Sequence, residues 1–600
     1  MKNLNQQNES LSGEKVNLAT TVECVDDSTL NTEQRELLQD LLDRYHTEVA
    51  RENPQLDNLP MPFGCKPVPG FREEFICVRG GGKVWGFVGH NIEGNVLNET
   101  RLFVDPAHRR KGLATLLLNE LVAVAQKRAL RMIYFYNLTN GGLASVKHFE
   151  ERIGNAGRIG LRFFYHKRVV AIVLEDEIGC SAFEERRTLL PCFHGYDDDV
   201  FVVDASGNHI FTNYGRLLDM NSGYWCCPFG YRHPDLDRIM TAGYFSHLFG
   251  YLHPPALSLA RKLCKLSGMA RVGFNTSGSS VIDEAIRLAW QYAAIRHGRD
   301  RKIIVSLKGG FYGSSATALR FAGLDIRCSD GRRYDYAHYL PDDDIGRKID
   351  PFSVSLNPLE ELIKEECLEG KIAAFVFEPI LGVRGARVLE KEKLQAMMQT
   401  CERDDIVTIA DEISTGLGRT GELFAHKHYE VVPDIICLGK PITNGMFPLA
   451  AVLFNDKVNS IFDEHRDSTP SDFLYGSTLG GHPTACMIAL KVLDLLQSET
   501  TLRSIGELSS ILVNKLVEFQ KAYRVIRRIH GMGLMLGIEL PNSVIAREVQ
   551  LKLRKSWISC IPEGRIIMLM PPFTLTEEQA SYFLNALNRV LSEVSARGVE

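Results

Sequence analysis

The amino-acid sequence predicts an α/β protein, in which an α+β unit is followed by a larger unit with a mainly parallel sheet covered on both faces. Three features predict it. Between residues 75 and 106 three β-rich runs, FICVRG, KVWGFVGHNI and TRLFVDP, are separated by Gly-rich or Asn/Gly turns, the pattern of antiparallel strands. A basic glycine turn then opens the apolar helix of PAHRRKGLATLLLNELVAVAQKRA. From residue 270 onward short apolar runs (IIVSL, AAFVFEP, IVTIADE, DIICLG, LAAVLF) alternate with long helical patterns, as in parallel sheets buried on both faces.

The first 30 residues are rich in Asn, Gln, Ser, Glu and Thr and offer little apolar surface to offset ordering entropy, so they read as a mobile tail. NTEQRELLQDLLDRYHTEVA spaces its leucines as a helix does, with Asn31 or Thr32 as cap. The strands and basic turn follow, then the strand MIYFYN, a helix near LASVKHFEERI, and the strands LRFFYH and VVAIVLE. These elements give an α+β unit over residues 31–178, a charged linker over 179–194, and the larger unit over 195–600.

Composition narrows the class of partner. At 45% hydrophobic and 24% charged the chain is ordinary globular protein. A net charge of −5 supplies no basic field for nucleic acid or an anionic membrane surface, so small molecules are expected. The polar start MKNLNQQNESLSGEK has no apolar signal core, and no stretch reaches the roughly 18 apolar residues of a membrane span, so a cytoplasmic location is expected. Fourteen cysteines form no CxxC pair and no His/Cys ligand spacing; reduced thiols and no metal site are expected.

Ligands on parallel sheets bind at the carboxyl ends of the strands, and three such ends carry chemistry. Ser277, Gly278 and Ser279 precede a long helix, where free N–H groups favour a phosphate, although plain capping uses the same residues. Asp411 leaves an apolar strand and needs a cationic or hydrogen-bonding partner. Lys440 ends DIICLGK; it either reaches solvent or serves as a desolvated, nucleophilic amine. A phosphate cradle, a strand-end acid and a strand-end lysine together meet the needs of pyridoxal 5'-phosphate: anchorage, a proton at the pyridine nitrogen, and an amine for the aldehyde.

The ordered motifs DASGNHIFTNYGRLLDMNSG, PFGYRHPDL, NTSG, GGFYGS, FEPILGVRG, ADEISTGLGRTGELFAHKHYEVVPDIICLGK and YGSTLGGHPTACMIAL cover about 400 residues. Over this stretch the chain resembles the class III, or omega, aminotransferases of the fold type I pyridoxal-phosphate enzymes. The resemblance implies that Lys440 bonds the cofactor, Asp411 partners its ring nitrogen, Phe311 stacks on the ring beside Tyr312, and Gly278 and Ser279 hold the phosphate. It implies further that Glu378 belongs to the cofactor site and that Thr478 reaches the phosphate of a neighbouring subunit, hence a homodimer. The substrates it implies are an amine or amino acid donor and a keto or aldehyde acceptor. Three departures stand out: Leu381 and Val383 replace residues usually polar, Tyr312 replaces a usual histidine, and Met568 stands where many members carry a carboxylate-binding arginine. They argue against an ordinary α-amino acid as main substrate, unless Arg384, Arg387 or Arg565 substitutes.

The amino-terminal unit has its own mechanism. After the strand LFVDP, the backbone of RRKGLA opens a helix and forms a nest suited to a pyrophosphate. With Arg109, Gly112 and Ala114 in the pattern Arg-x-x-Gly-x-Ala, residues 35–176 resemble the Gcn5-related N-acetyltransferases, which implies acetyl-CoA as cosubstrate. Glu99 is the candidate base; the position often held by an acidic tyrosine is Phe149, with Tyr134 or Tyr136 as stand-ins. The expected whole is a bifunctional enzyme. The alternative is an aminomutase, decarboxylase or lyase whose small unit is a non-catalytic acyl-CoA sensor or docking module.

Overall fold

The computed structural model describes residues 21–26, 74–80, 83–93, 96–104, 109, 113–128, 130, 132–135, 143–147, 149–150, 161–166, 169–174, 200, 202–212, 215–242, 252–322, 326–327, 333–334, 345–464 and 476–597. It divides into two compact units, Met1–Leu217 and Leu218–Glu600. The first ten residues of the helix sought at 31–50, like the rest of it and the linker 179–194, lie outside the described residues.

In the first unit seven strands form one sheet: β1 (Thr21–Asp26), β2 (Glu74–Gly80), β3 (Lys83–Glu93), β4 (Val96–Val104), β5 (Met132–Phe135), β6 (Leu161–His166) and β7 (Val169–Leu174), in the order β1-β2-β3-β4-β5-β7-β6. Helix α1, Leu113–Lys127, buries Leu113, Leu117, Leu118, Leu121, Val122 and Ala125, the stripe that 3.6-residue periodicity turns to one side. That stripe packs against Ile76, Val88, Leu97, Ile133 and Ile172 of the sheet. The tail reading needs correction for one segment: Thr21–Asp26 pairs antiparallel with β2, from Thr21↔Arg79 to Asp26↔Glu74. Composition judges whether side chains can bury, but an edge strand such as TVECVD is held by main-chain hydrogen bonds. Residues 1–20 and 27–30 lie outside the described residues. The hairpin of Val202–Ser206 and His209–Thr212 lies near the end of this unit.

The second unit is organised by seven strands: β8 (Arg271–Asn275), β9 (Ile303–Leu307), β10 (Gly346–Ile349), β11 (Ile372–Phe377), β12 (Val407–Asp411), β13 (Ile435–Leu438) and β14 (Ala450–Phe454). Their order is β8-β14-β13-β12-β11-β9-β10, and only β14 runs antiparallel to its neighbours. Strands β9, β11, β12, β13 and β14 are buried along their whole length. Alternation explains the two covered faces: Ile304, Val376 and Ile409 face α2 (Gly278–His297), while Val305, Phe375 and Phe377 face α3 (Pro358–Glu365) and α4 (Lys391–Arg403). A smaller antiparallel sheet of β15 (Arg528–Met532), β16 (Met535–Glu539), β17 (Ile561–Glu563) and β18 (Ile566–Leu569) follows, ordered β15-β16-β18-β17. No helix among the described residues is long and apolar enough to cross a membrane.

Candidate active site

The polar strand ends of the second unit converge. Lys440 follows β13 and begins a single tight turn, Lys440–Thr443, with a left-handed φ of 24°. A lysine adopts that backbone only where its surroundings insist. Here Asn444 closes the turn, accepting from Phe229 N at 2.8 Å and donating to Gly230 O at 2.8 Å. The Lys440 amine donates to Ser414 Oγ at 2.7 Å and lies 4.4 Å from the centre of the Trp225 ring. Burial pulls its pKa below the ordinary lysine value, against the opposing charges of Cys226, Asp411, Glu378 and Glu563.

Asp411 is the last residue of β12, only 4% exposed, and Oδ1 accepts from Ile413 N at 3.0 Å. Glu378, directly after β11, accepts from Phe311 N at 2.7 Å and Gly382 N at 3.1 Å. Burial holds both carboxyls above the ordinary carboxylate range, with Asp411 adding to the effect on Glu378 and Lys440 opposing it on both. Helix α2 brings the third element. Ser277 caps it, accepting from Ser280 N at 3.2 Å, and Ser279 Oγ accepts from Ser314 N at 3.0 Å. Ile413 joins all three: a Cβ at Gly278 would stand 2.9 Å from its Cδ1, and one at Gly439 3.1 Å from its Cγ2.

Phe311 is half-buried and fixed through its own N–H by Glu378. Tyr312, expected beside it, is instead 1% exposed with its hydroxyl accepting from Leu307 N at 3.2 Å and donating to Val376 O at 3.3 Å. It belongs to the core between β9 and β11, because a buried phenol takes the nearest backbone partners. Leu381 likewise sits in the core with Phe375 and Phe377 rather than lining a pocket. Thr478 is exposed on the Gly476–Gly481 turn, whose Gly476 N donates to the buried Glu284 of α2. Met568 is fully buried with Trp225, Ile380, Met535 and Met570.

Three site residues went unread in the sequence: Ile413, Ser414 and Trp225. The first had a signal, since it lies two positions after Asp411. Trp225 had a fainter one in DMNSGYW, a run of turn-forming residues. Asp219 accepts from Asn221 N and Gly223 N, both at 2.8 Å, and from Tyr231 Oη at 2.7 Å, folding this turn so that the indole reaches Lys440.

The donor set fits pyridoxal 5'-phosphate. A serine-capped helix start, a buried carboxyl whose hold on a proton burial strengthens and a desolvated primary amine meet around Ile413, and each matches one demand of the cofactor.

In the first unit, β4 pairs parallel with β5 through a register shift between Leu97 and Thr100, where Glu99 lies. The side chains of Glu99 and Tyr134, and the whole of Gly112 and Tyr136, lie outside the described residues. Arg109 is exposed, donates from Nε to Val104 O at 3.0 Å and lies over Phe103; Ala114 is half-buried in the first turn of α1. Phe149 is 1% exposed within the core.

Comparison with known proteins finds two families in the chain. Residues 193–591 match the family described as Aminotransferase class-III, and residues 36–154 the Acetyltransferase (GNAT) family. The acetylornithine aminotransferase of Methanocaldococcus jannaschii is 30% identical over 400 residues, spanning 66% of this chain and 94% of that protein. The ornithine aminotransferase of a Geobacillus species is 29% identical over 434 residues, spanning 71% and 100%. Among solved structures, the PMP-bound aminotransferase of Vibrio fluvialis superposes with a TM-score of 0.62 at 25% identity, covering 69% of this chain and 98% of that one.

Proposed function

We propose that this chain, which belongs to the class-III aminotransferase family, transfers an amino group between an amine or amino acid donor and an aldehyde or ketone acceptor, using pyridoxal 5'-phosphate held by Lys440, Asp411 and the start of α2. The observation that carries the reading is Lys440: its amine is desolvated, held by Ser414 against Trp225, and faces the Asp411 strand end.

When bound, the cofactor supplies an electron sink for the bond broken at the amine-bearing carbon. The residues supply everything else. Desolvation favours the neutral Lys440 amine, which can attack a carbonyl and later take or return a proton at Nζ. Ser414 Oγ keeps that Nζ in place between these tasks. Burial raises the affinity of Asp411 for a proton, which it would share with the pyridine nitrogen. Glu378 is a positioning residue: by accepting from Phe311 N and Gly382 N it fixes the loop that presents the Phe311 ring. Ser277, Gly278 and Ser279 offer the helix N-terminus to the phosphate. Thr478, exposed, is available to the same site in a second subunit, so a cytoplasmic homodimer is the assembly this reading expects.

The first unit acetylates an amine from acetyl-CoA. Arg109, whose side chain donates to Val104 O at the end of β4, and Ala114 in the first turn of α1 flank the turn that would cradle the pyrophosphate, with Glu99 in β4 as base. Sharing one chain raises the concentration that one unit's product presents to the other.

The test is the visible spectrum of the purified protein with amines added, beside Lys440→Ala. A yellow band that a particular amine bleaches and a keto acid restores, and that Lys440→Ala lacks, is expected. A band that recovers without a keto acid while carbon dioxide or ammonia is released would replace transamination by decarboxylation or elimination.

A further inference from the structure

The second unit contains a cavity of about 720 Å³ lined by none of the residues assigned above to the reaction at Lys440. Five arginines line it: Arg384, Arg387, Arg527, Arg528 and Arg565. Two carboxylates also line it, but both are engaged: Glu539 pairs with Arg565 at 2.5 Å and His530 at 2.7 Å, and Glu563 accepts from Tyr224 Oη at 3.2 Å. Among the described residues Arg384, Arg387, Arg527 and Arg528 have no ion-pair partner. Arg387 lies 3.5 Å over the Phe352 ring, and burial together with the charges of Arg384 and Arg528 makes its own charge harder to hold, against the opposing charges of Glu539 and Asp350. Five guanidinium groups against the carboxylates of Glu539 and Glu563 leave an excess of positive charge in one concavity, which is unfavourable unless an anion joins them.

The cavity is close to the reactive amine. The Arg384 side chain lies along Gly309, where a Cβ would be 2.5 Å from Nε, in the loop that presents Phe311. On the other side, Glu563 binds Tyr224, whose ring stacks on Trp225 at 5.0 Å, and Trp225 carries Lys440 Nζ on its face at 4.4 Å. One aromatic pair therefore separates the lysine from the arginines. Between them the wall is apolar, with Val383 packed against the Trp225 cluster. Among the lining residues five arginines face two carboxylates, an excess of three positive charges that a single carboxylate would not balance, and a cavity of this volume admits a small molecule rather than a polymer.

We propose that this cavity takes the anionic end, carrying two or more negative charges as a phosphate monoester or as paired carboxylates, of the small molecule whose amine or carbonyl reacts at Lys440. The inference rests on the transamination reading. It makes the arginines specificity determinants: planar guanidinium groups hold phosphate or carboxylate oxygens in pairs, and the apolar wall sets the distance to the reacting carbon.

The experiment uses the cofactor-loaded protein and four amines of matched length: n-butylamine, 4-aminobutyrate, 4-aminobutyl phosphate and 2-(3-aminopropyl)malonate. Bleaching of the visible band is expected with a KM at least tenfold lower for one of the two doubly charged amines than for n-butylamine, and whichever gains more identifies phosphate or paired carboxylates. The double variant Arg387→Gln/Arg528→Gln is expected to reduce that advantage about tenfold, through KM rather than kcat, as loss of charge-assisted hydrogen bonds predicts. Equal KM values across the four amines, or an advantage that survives in the double variant, would overturn the proposal. Calorimetry with pyrophosphate on the same loaded proteins decides the cavity without turnover: binding lost in the double variant supports it, and no binding to the unmodified protein overturns it. A band that no amine bleaches would instead overturn the transamination reading.

Discussion

Asp411 and Glu378 lie in one buried site with Lys440, and burial fixes the sign of their response to pH. Both carboxyls titrate above their ordinary range, Asp411 from 3.8 to about 7. Between pH 4 and neutrality the native state of the cofactor-free protein therefore holds a proton that the unfolded chain has released, so its stability falls as pH rises through that window. Lys440, shifted the other way, gives a rise in stability only toward alkaline pH, above its own lowered pKa. Asp411→Asn removes one of the two buried acids and relieves Glu378 of a neighbouring charge. We expect the loss of stability between pH 5.5 and pH 8, followed by urea unfolding of cofactor-free protein, to be smaller in Asp411→Asn than in the unmodified protein by about 2 kcal/mol. Equal losses would mean that Asp411 is ionised throughout.

The site is built where elements meet, and one close approach governs it. At Gly313, in the loop after β9, φ is 132°, and a Cβ would come within 2.6 Å of Ser279 Oγ and 2.9 Å of Ser279 Cα. Backbone blocks that contact, so Gly313→Ala must push the loop from the start of α2 and break the Ser314 N to Ser279 Oγ bond. We expect a loss of about 1–3 kcal/mol in urea unfolding together with weaker cofactor binding in a fluorescence titration. Gly298→Ala at the other end of α2 is the control: φ is 90° with nothing within 4 Å, so it should lose stability without changing cofactor affinity. The sequence revealed this architecture in part. Strand ends were legible because apolar runs stop at Asp411 and before Lys440, and the capped start of α2 because Ser277 and Gly278 precede a helical pattern. Tyr312 was misread because adjacent aromatics part company where a loop leaves a strand, one held in the site by its N–H and the other returned to the core. Trp225 was illegible as a site residue, and of the arginine cavity only Arg384, Arg387 and Arg565 were named, as possible carboxylate binders, since the cavity joins distant segments that only tertiary packing assembles.

At the scale of the whole chain, the two compact units hold the two helix starts proposed above to bind anions: the serine-capped start of α2, and the start of α1 that follows Arg109. If each serves its own reaction, damage to one should leave the other intact. Arg109 is exposed and Ala114 half-buried, so neither substitution opens a cavity in the core that Leu117, Leu121 and Phe149 fill. Arg109→Ala removes a positive charge from the turn, and Ala114→Glu sets a negative one in the first turn of α1, where it opposes a bound pyrophosphate. In the double variant we expect acetyl-CoA consumption, read as released thiol, to fall at least tenfold. Bleaching of the visible band by the donor amine should keep its rate within about twofold, because α1 and the Lys440 site belong to separate units. Unchanged thiol release would remove acetyl transfer from this turn. Slower bleaching, with acetyl-CoA altering the rate in the unmodified protein but never consumed, would make the first unit a sensor of acyl-CoA that acts on the second.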